Sequence, residues 1–263
     1  MARRGGGFTE RVTLAVTVAR VDSLPAALDG LVLTADLQGR ESLPPTKRLR
    51  DSPNPRYREG RRLLGEVAAA ELRRLCDRGD LPATDRLGVV LAGDFWAEPG
   101  CTRRGGLGKV GPVWSAFGGT ARWVAGVLGN HDQYDRPRPE GPADAPRRVA
   151  LLDGEVVELD GCRLGGVGGV IGAPYKPRRK AEQRYLELLE GVLRTQPDIV
   201  VLHESPELPG EDCRGKPAIR ECLLRQPPTL LVCGHCHWPT PLHTLPNGTQ
   251  VCNVDARLIV ALR

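Results

Sequence analysis

Five apolar runs in this 263-residue chain lead directly into a residue that can bind a metal. Asp36 follows LVLTA, Asp94 follows VVLAG, and Asn130, His131 and Asp132 follow VAGVLG. His203 closes DIVVLH, and His235 and His237 follow LLVCG. Gln38 stands two residues beyond Asp36. Carboxylates, an amide oxygen and imidazoles form a mixed oxygen and nitrogen donor set suited to divalent cations. One shared carboxylate can bridge two ions at the short separation that two-metal hydrolysis needs. In open α/β sheets, sites form beyond the carboxyl ends of the strands. A strand-end Asp is by itself usually a turn or cap residue, and a lone His is usually structural, as His243 in TPLHTLP reads. What points to a site is the recurrence of ligand chemistry at five strand ends.

The segment Cys233-Gly-His-Cys236 also fits a thioredoxin-like redox motif, in which a helix N-terminus lowers the pKa of the first thiol. WPTPLHTLP follows it, and the prolines at 239 and 241 exclude that helix. No second Cys or His pair at finger spacing completes a structural zinc site. RRGGLGKVG lacks the phosphate-loop pattern of ATP-binding proteins.

The elements that must carry these residues are legible. The runs at 11–19, 31–35, 86–93, 122–129, 198–203 and 229–234 read as strands covered on both faces, because they are almost continuously apolar. Residues 58–78 predict a helix with Leu64, Ala68, Leu72 and Leu75 on one stripe. Residues 180–195 predict another, ended by Pro197. A third is expected from Lys216–Pro217 to about Arg225. Residues 156–170 read as a hairpin around Asp160–Gly161, and the tail as two strands joined by a turn near Asp255. The fold class is α/β, a layered single domain over 1–263 with added antiparallel strands and no internal repeat.

Composition agrees. The chain is 40% hydrophobic and 26% charged, which excludes disorder, and the core must rest on Leu, Val and Ala because aromatics are only 4%. No run approaches the ~18 apolar residues of a membrane helix. The N-terminus reads as a first strand rather than a signal peptide. The eight cysteines are expected reduced and mostly buried, in a cytoplasmic protein.

The ordered set ADLQG, GD, GNHD, H and GHCH resembles the calcineurin-like metallophosphoesterases, which include phosphoprotein phosphatases, nucleotide phosphodiesterases and repair nucleases of the SbcD type. The resemblance spans residues 35–237. It implies a four-layer αββα sandwich with a binuclear site, filled by two divalent transition-metal ions. Carried over position by position, it implies Asp36 and His237 on the first metal, Asp94 bridging, and Asn130, His203 and His235 on the second. It implies that His131 faces the scissile phosphate and that Asp132 holds the His131 imidazole. The family's first motif is usually Asp-x-His; here Gln38 takes the third place and is expected to offer its amide oxygen to a weakly held first metal. The implied chemistry is in-line attack of an acidified water on phosphorus. The donor set favours Mn²⁺, with Zn²⁺, Fe²⁺ and Ni²⁺ as other fits.

The loops leaving these strand ends are basic. Residues 40–62, starting at Arg40, hold eight basic and three acidic side chains. Arg103, Arg104 and Lys109 follow Asp94, and Arg136, Arg138, Arg147 and Arg148 follow GNHD. A further run, Lys176, Arg178, Arg179 and Lys180, has no assigned place. With a net charge of +5, these loops suggest a positive rim for a polyphosphate backbone, with Arg40, Arg103 and Arg104 as substrate contacts. Trp96, Tyr57 and Tyr134 lie in the same loops as candidate stacking residues. The expectation is a nuclease or phosphodiesterase acting on DNA or RNA, and a homodimer by analogy with the repair nucleases. A phosphomonoesterase or protein phosphatase is the alternative, with a redox protein or a non-catalytic phosphate-binding module more remote.

Overall fold

The computed structural model describes residues 16–41, 62–99, 101, 105–135 and 148–263. In chain order the elements are β1 (Val16–Arg20), β2 (Gly30–Ala35), α1 (Leu64–Asp77), β3 (Leu87–Leu91), β4 (Gly108–Lys109), α2 (Gly111–Gly118), β5 (Trp123–Gly126) and β6 (Asp132–Gln133). They continue with β7 (Arg148–Leu151), β8 (Glu155–Leu159), β9 (Cys162–Val167), β10 (Val170–Ile171), β11 (Arg179–Lys180) and α3 (Glu182–Leu193). The last are β12 (Ile199–Leu202), α4 (Pro217–Leu224), β13 (Leu230–Cys233), β14 (Leu242–Thr244), β15 (Gln250–Asn253) and β16 (Arg257–Leu262).

Two six-stranded sheets face each other, in the orders β1-β16-β2-β3-β5-β7 and β14-β15-β13-β12-β9-β8. Three apolar layers hold them. The first packs Ala68, Leu72, Trp114 and Phe117 of α1 and α2 on Val32, Val89 and Val124. The second fills the space between the sheets with Leu31, Leu33, Val90, Val201, Val232 and Cys252. The third packs Leu189, Val192, Ile219 and Cys222 of α3 and α4 on Val200, Leu202, Leu231 and Val251. This is the four-layer αββα sandwich.

The near-continuous apolar runs follow from this geometry. Side chains alternate across a strand, so Val200 faces the helices while Val201 faces the other sheet, and both must be apolar. The β8–β9 hairpin turns at Asp160 and Gly161, both at positive φ, as a two-residue turn requires. The two C-terminal strands part company: β15 pairs with β13 in one sheet and β16 with β2 in the other. The expected first strand is described from Val16 onward; its earlier part lies outside the described residues. Helix α2 was not expected from the sequence. All eight cysteines are free, and five of them are buried. No helix among the described residues is long and apolar enough to cross a membrane.

Candidate metal centre

Strands β2, β3 and β5 run parallel, as do β12 and β13, so Asp36, Asp94, Asn130, His203 and His235 leave the carboxyl ends of five strands. Asp36, Asp94 and His235 adopt positive φ values of 56, 58 and 66°. Non-glycine residues held there mark backbone constrained by its surroundings, at a cost of order 1 kcal/mol each. Two glycines make this close packing possible. A Cβ on Gly129 would sit 2.0 Å from Asp94 Oδ1, and one on Gly234 would sit 2.3 Å from Asp36 Oδ2. The backbone N–H of His131 donates to Asp94 Oδ1 at 2.8 Å, and that of His235 to Asp36 Oδ2 at 2.9 Å. The GHCH turn is pinned from below. Ser205 Oγ donates to the Gly234 carbonyl at 2.6 Å, and Asn253 Nδ2 to the Cys236 carbonyl at 2.8 Å.

Asp94, His203 and His235 bring their ligand atoms within 4.8 Å of one another. His203 is fully buried and donates from Nδ1 to the Ala92 carbonyl at 2.8 Å. Its Nε2 then faces two oxygens, Asp94 Oδ2 at 3.3 Å and Asn130 Oδ1 at 3.2 Å. That is the chemistry of a cation site: a buried nitrogen and two oxygens turned on one point. Burial opposes charge on His203, yet Asp94 and Asp36 outweigh it and raise its pKa to about 10. Burial would also raise Asp94, but His203 holds that carboxyl below its usual range. Asp36 is pushed well above it, by burial first and then by Asp94 and Asp255, against the pull of His203. Burial and the neighbouring His203 lower His235 to about 4, leaving it neutral with a lone pair to offer.

The family model described as calcineurin-like phosphoesterase matches residues 31–239, which contain Asp36, Asp94, Asn130, His203 and His235. The chain belongs to that family. As the family implies, the phosphoesterase is a metal-dependent hydrolase, and its buried nitrogen and oxygen donors fit divalent cations. Among solved structures it is similar to TT1561 of Thermus thermophilus, with 14% identity over 89% of this chain and 88% of that one, at a TM-score of 0.47. It is also similar to the sulfate thiohydrolase SoxB of Thermus thermophilus in complex with glycerol, with 12% identity over 89% of this chain and 53% of that one, at a TM-score of 0.44. No curated protein sequence matches the phosphoesterase.

One expected role is corrected, and two expected ligands make other contacts in this structure. Asp132 does not hold the His131 imidazole. Both its oxygens are taken by backbone N–H groups: those of Asp94 and Gly129 on Oδ2, and those of Phe95 and Trp96 on Oδ1. It ties the two ligand loops together, and burial raises it to about 6. The orienting partner of His131 is instead the Gly106 carbonyl, 2.6 Å from Nδ1, brought there by the pairing of β4 with β6. Gln38 lies at the cluster but presents its amide nitrogen, donating from Nε2 to Asp94 Oδ2 at 2.9 Å. A carboxylate held ionised attracts a donor, which accounts for the direction of the Gln38 amide. His237 is exposed and bonded through Nδ1 to Asp255 at 2.9 Å, outside the group whose ligand atoms converge.

The basic rim is partly engaged. Arg40 donates to the Ala97 carbonyl and stacks over Trp96, and Lys109 and Lys180 pair with Asp135 and Asp153. Trp96 and Tyr134 pack on the core, Tyr134 edge-on to Trp114. Arg103, Arg104, Arg136, Arg138, Arg147 and Tyr57 lie outside the described residues. Arg179 is placed close enough to act on both His235 and Glu204. The sequence reading missed Glu204, although a carboxylate following a buried strand and a histidine was a signal. It missed Gly106 too, and a backbone carbonyl leaves none.

Cys233 is fully buried and its thiol is pushed up by burial; Cys236 is raised to about 11 for the same reason. No helix follows them, so a low-pKa redox thiol has no support here. Titration of the native protein with a thiol reagent should show neither residue reacting as a thiolate at neutral pH. A fast-reacting Cys233 would revive the redox reading.

The electrostatics also set a proton count. At about pH 8 the His203 proton must leave when a cation takes its Nε2. Metal uptake should therefore release at least one proton and tighten as pH rises towards the His203 value of about 10. Calorimetry in buffers of different ionisation enthalpy measures this, and a proton-neutral uptake would contradict it.

Proposed function

We propose that this phosphoesterase is a phosphodiesterase acting on nucleic acid or nucleotides, with Mn²⁺ as the preferred ion. The observation that carries the hydrolytic reading is the Asp94–His203–His235 cluster with His131 at its rim, His131 Nε2 lying 3.9 Å from Asp94 Oδ2. Asp94, Asn130, His203 and His235 would hold one ion, and Asp36 and His237 with Asp94 the other, Asp255 on His237 Nδ1 leaving its Nε2 free. Bound cations would supply charge neutralisation of the phosphate and a water acidified for attack. The chain's own residues do the rest. The Gly106 carbonyl keeps the proton of His131 on Nδ1. Nε2 is then the nitrogen that meets the substrate and, when protonated, gives a proton to the leaving oxygen. Asp132 keeps Asp94 and His131 in register through the loop amides.

The diester preference rests on charge: a net +5, and Arg179 near enough to His235 to act on it. A monoesterase or phosphoprotein phosphatase is the second reading. It is favoured by Trp96 and Tyr134, which are partly buried against the core, Tyr134 edge-on to Trp114. The test is turnover of bis-p-nitrophenyl phosphate, p-nitrophenyl phosphate and single-stranded DNA with Mn²⁺, Zn²⁺, Mg²⁺ and Ni²⁺. The diester and DNA should be cleaved fastest with Mn²⁺, and DNA binding should weaken steeply with salt. Cleavage of the monoester alone would select the second reading.

Gln38→Ala should cost less activity than His203→Ala, since a water can donate to Asp94 in place of the amide. Equal losses of metal and turnover in the two variants would make Gln38 a ligand after all.

A further inference from the structure

Glu204 has no part in the chemistry above, yet its environment is unusual. Its side chain is only 2% exposed. One oxygen accepts the Ile171 N–H at 3.1 Å. The other lies 3.9 Å from His235 Nε2, too long for a hydrogen bond. Lys216 and Arg179 attract it from a distance, and among the described residues no Lys or Arg nitrogen reaches ion-pair range. A buried carboxylate is normally in contact with a cation or fully hydrogen-bonded.

Cys236 follows His235 directly in the chain. Its carbonyl is held by Asn253 and its N–H donates to the Gly234 carbonyl, so its backbone is fixed. Its Sγ, part-buried, makes no hydrogen bond among the described residues. The ligand atoms of Glu204, His235 and Cys236 all lie within 4.8 Å of one another. One carboxylate oxygen, one imidazole nitrogen and one thiolate sulfur, with a fourth place for water, make a tetrahedral Zn²⁺ donor set. The Asp94 cluster has oxygen and nitrogen only, and His235 belongs to both groups.

We propose that Glu204, His235 and Cys236 form a second, thiolate-containing site that takes Zn²⁺ or Co²⁺ and competes with the hydrolytic cluster for the His235 imidazole. On binding, the Cys236 thiol gives its proton to solvent and the sulfur replaces a water of the hydrated ion. An excess of a thiolate-preferring metal then inhibits, while Mn²⁺, which prefers oxygen and nitrogen donors, does not. The inhibition rests on the phosphodiesterase reading; the binding does not.

The experiment separates the two. The full chain is titrated with Co²⁺, and the near-ultraviolet thiolate-to-cobalt charge-transfer absorption is recorded. The wild type should develop this band, Cys236→Ser and Cys236→Ala should lose it, and Glu204→Gln should need at least ~10-fold more Co²⁺ to reach it. Mn²⁺-supported turnover should persist in Cys236→Ser, with Zn²⁺ inhibition moved to at least ~10-fold higher concentration. Absence of the band in the wild type, or its persistence in either Cys236 variant, overturns the site. An active enzyme inhibited by Zn²⁺ equally with and without Cys236 overturns the competition. A protein inactive on every phosphoester but showing the Cys236-dependent band supports the site and refutes the function instead.

Discussion

Replacing His131 with alanine is expected to lower turnover by about 10²–10⁴-fold, the usual worth of a positioned proton donor, while leaving bound metal nearly unchanged. The geometry supports the split. The His131 side chain touches the Gly106 carbonyl and stands 3.9 Å from Asp94, whereas the contact that steadies Asp94 comes from the His131 backbone N–H, which alanine keeps. Metal content by atomic absorption and kcat on bis-p-nitrophenyl phosphate measure the two effects side by side. Loss of metal in parallel with activity would make His131 a ligand and remove its role as proton donor.

Asp132→Ala should behave differently. Four backbone N–H groups, from Asp94, Phe95, Trp96 and Gly129, converge on this one buried carboxylate. Leaving a buried donor unsatisfied costs ~1–3 kcal/mol. With four donors affected, a loss on the order of 3 kcal/mol or more is expected even if some reach water. Asp94 would lose its alignment, so metal content and activity should fall together and the melting temperature should drop. If Asp132 served only to orient His131, its alanine variant would instead keep metal and stability and show a pure loss of kcat. Thermal denaturation with metal analysis distinguishes the two.

The contrast between His131 and Asp132 shows where the sequence was informative. Side-chain chemistry at the ends of apolar strands was visible, because a strand buried on both faces leaves its polar residues only at its ends. Thus Asp36, Asp94, Asn130, His203 and His235 were legible, as was the layered fold whose two inner faces demand Val200 and Val201 alike. Backbone partners were not legible. The Gly106 carbonyl reaches His131 through the short β4–β6 pairing, which depends on the whole fold. The direction of the Gln38 amide was hidden too, since the residue type offers both a donor and an acceptor and the charge on Asp94 decides between them. Helix α2 was missed because GPVWSAFG has no charged face: Val113, Trp114 and Phe117 are all buried. Pro112 at its start was the available signal. Trp96 and Tyr134 suggested stacking from their loops, and the structure uses them for packing.

The central claim is that the Asp94–His203–His235 cluster hydrolyses phosphoesters through bound divalent cations. Its most direct test is turnover of bis-p-nitrophenyl phosphate by the full chain after exhaustive chelation, followed by stepwise return of Mn²⁺. Activity should be absent in the chelated protein and should return with the added metal, but not in His203→Ala at the same concentrations. Full turnover in the metal-free protein would contradict the claim.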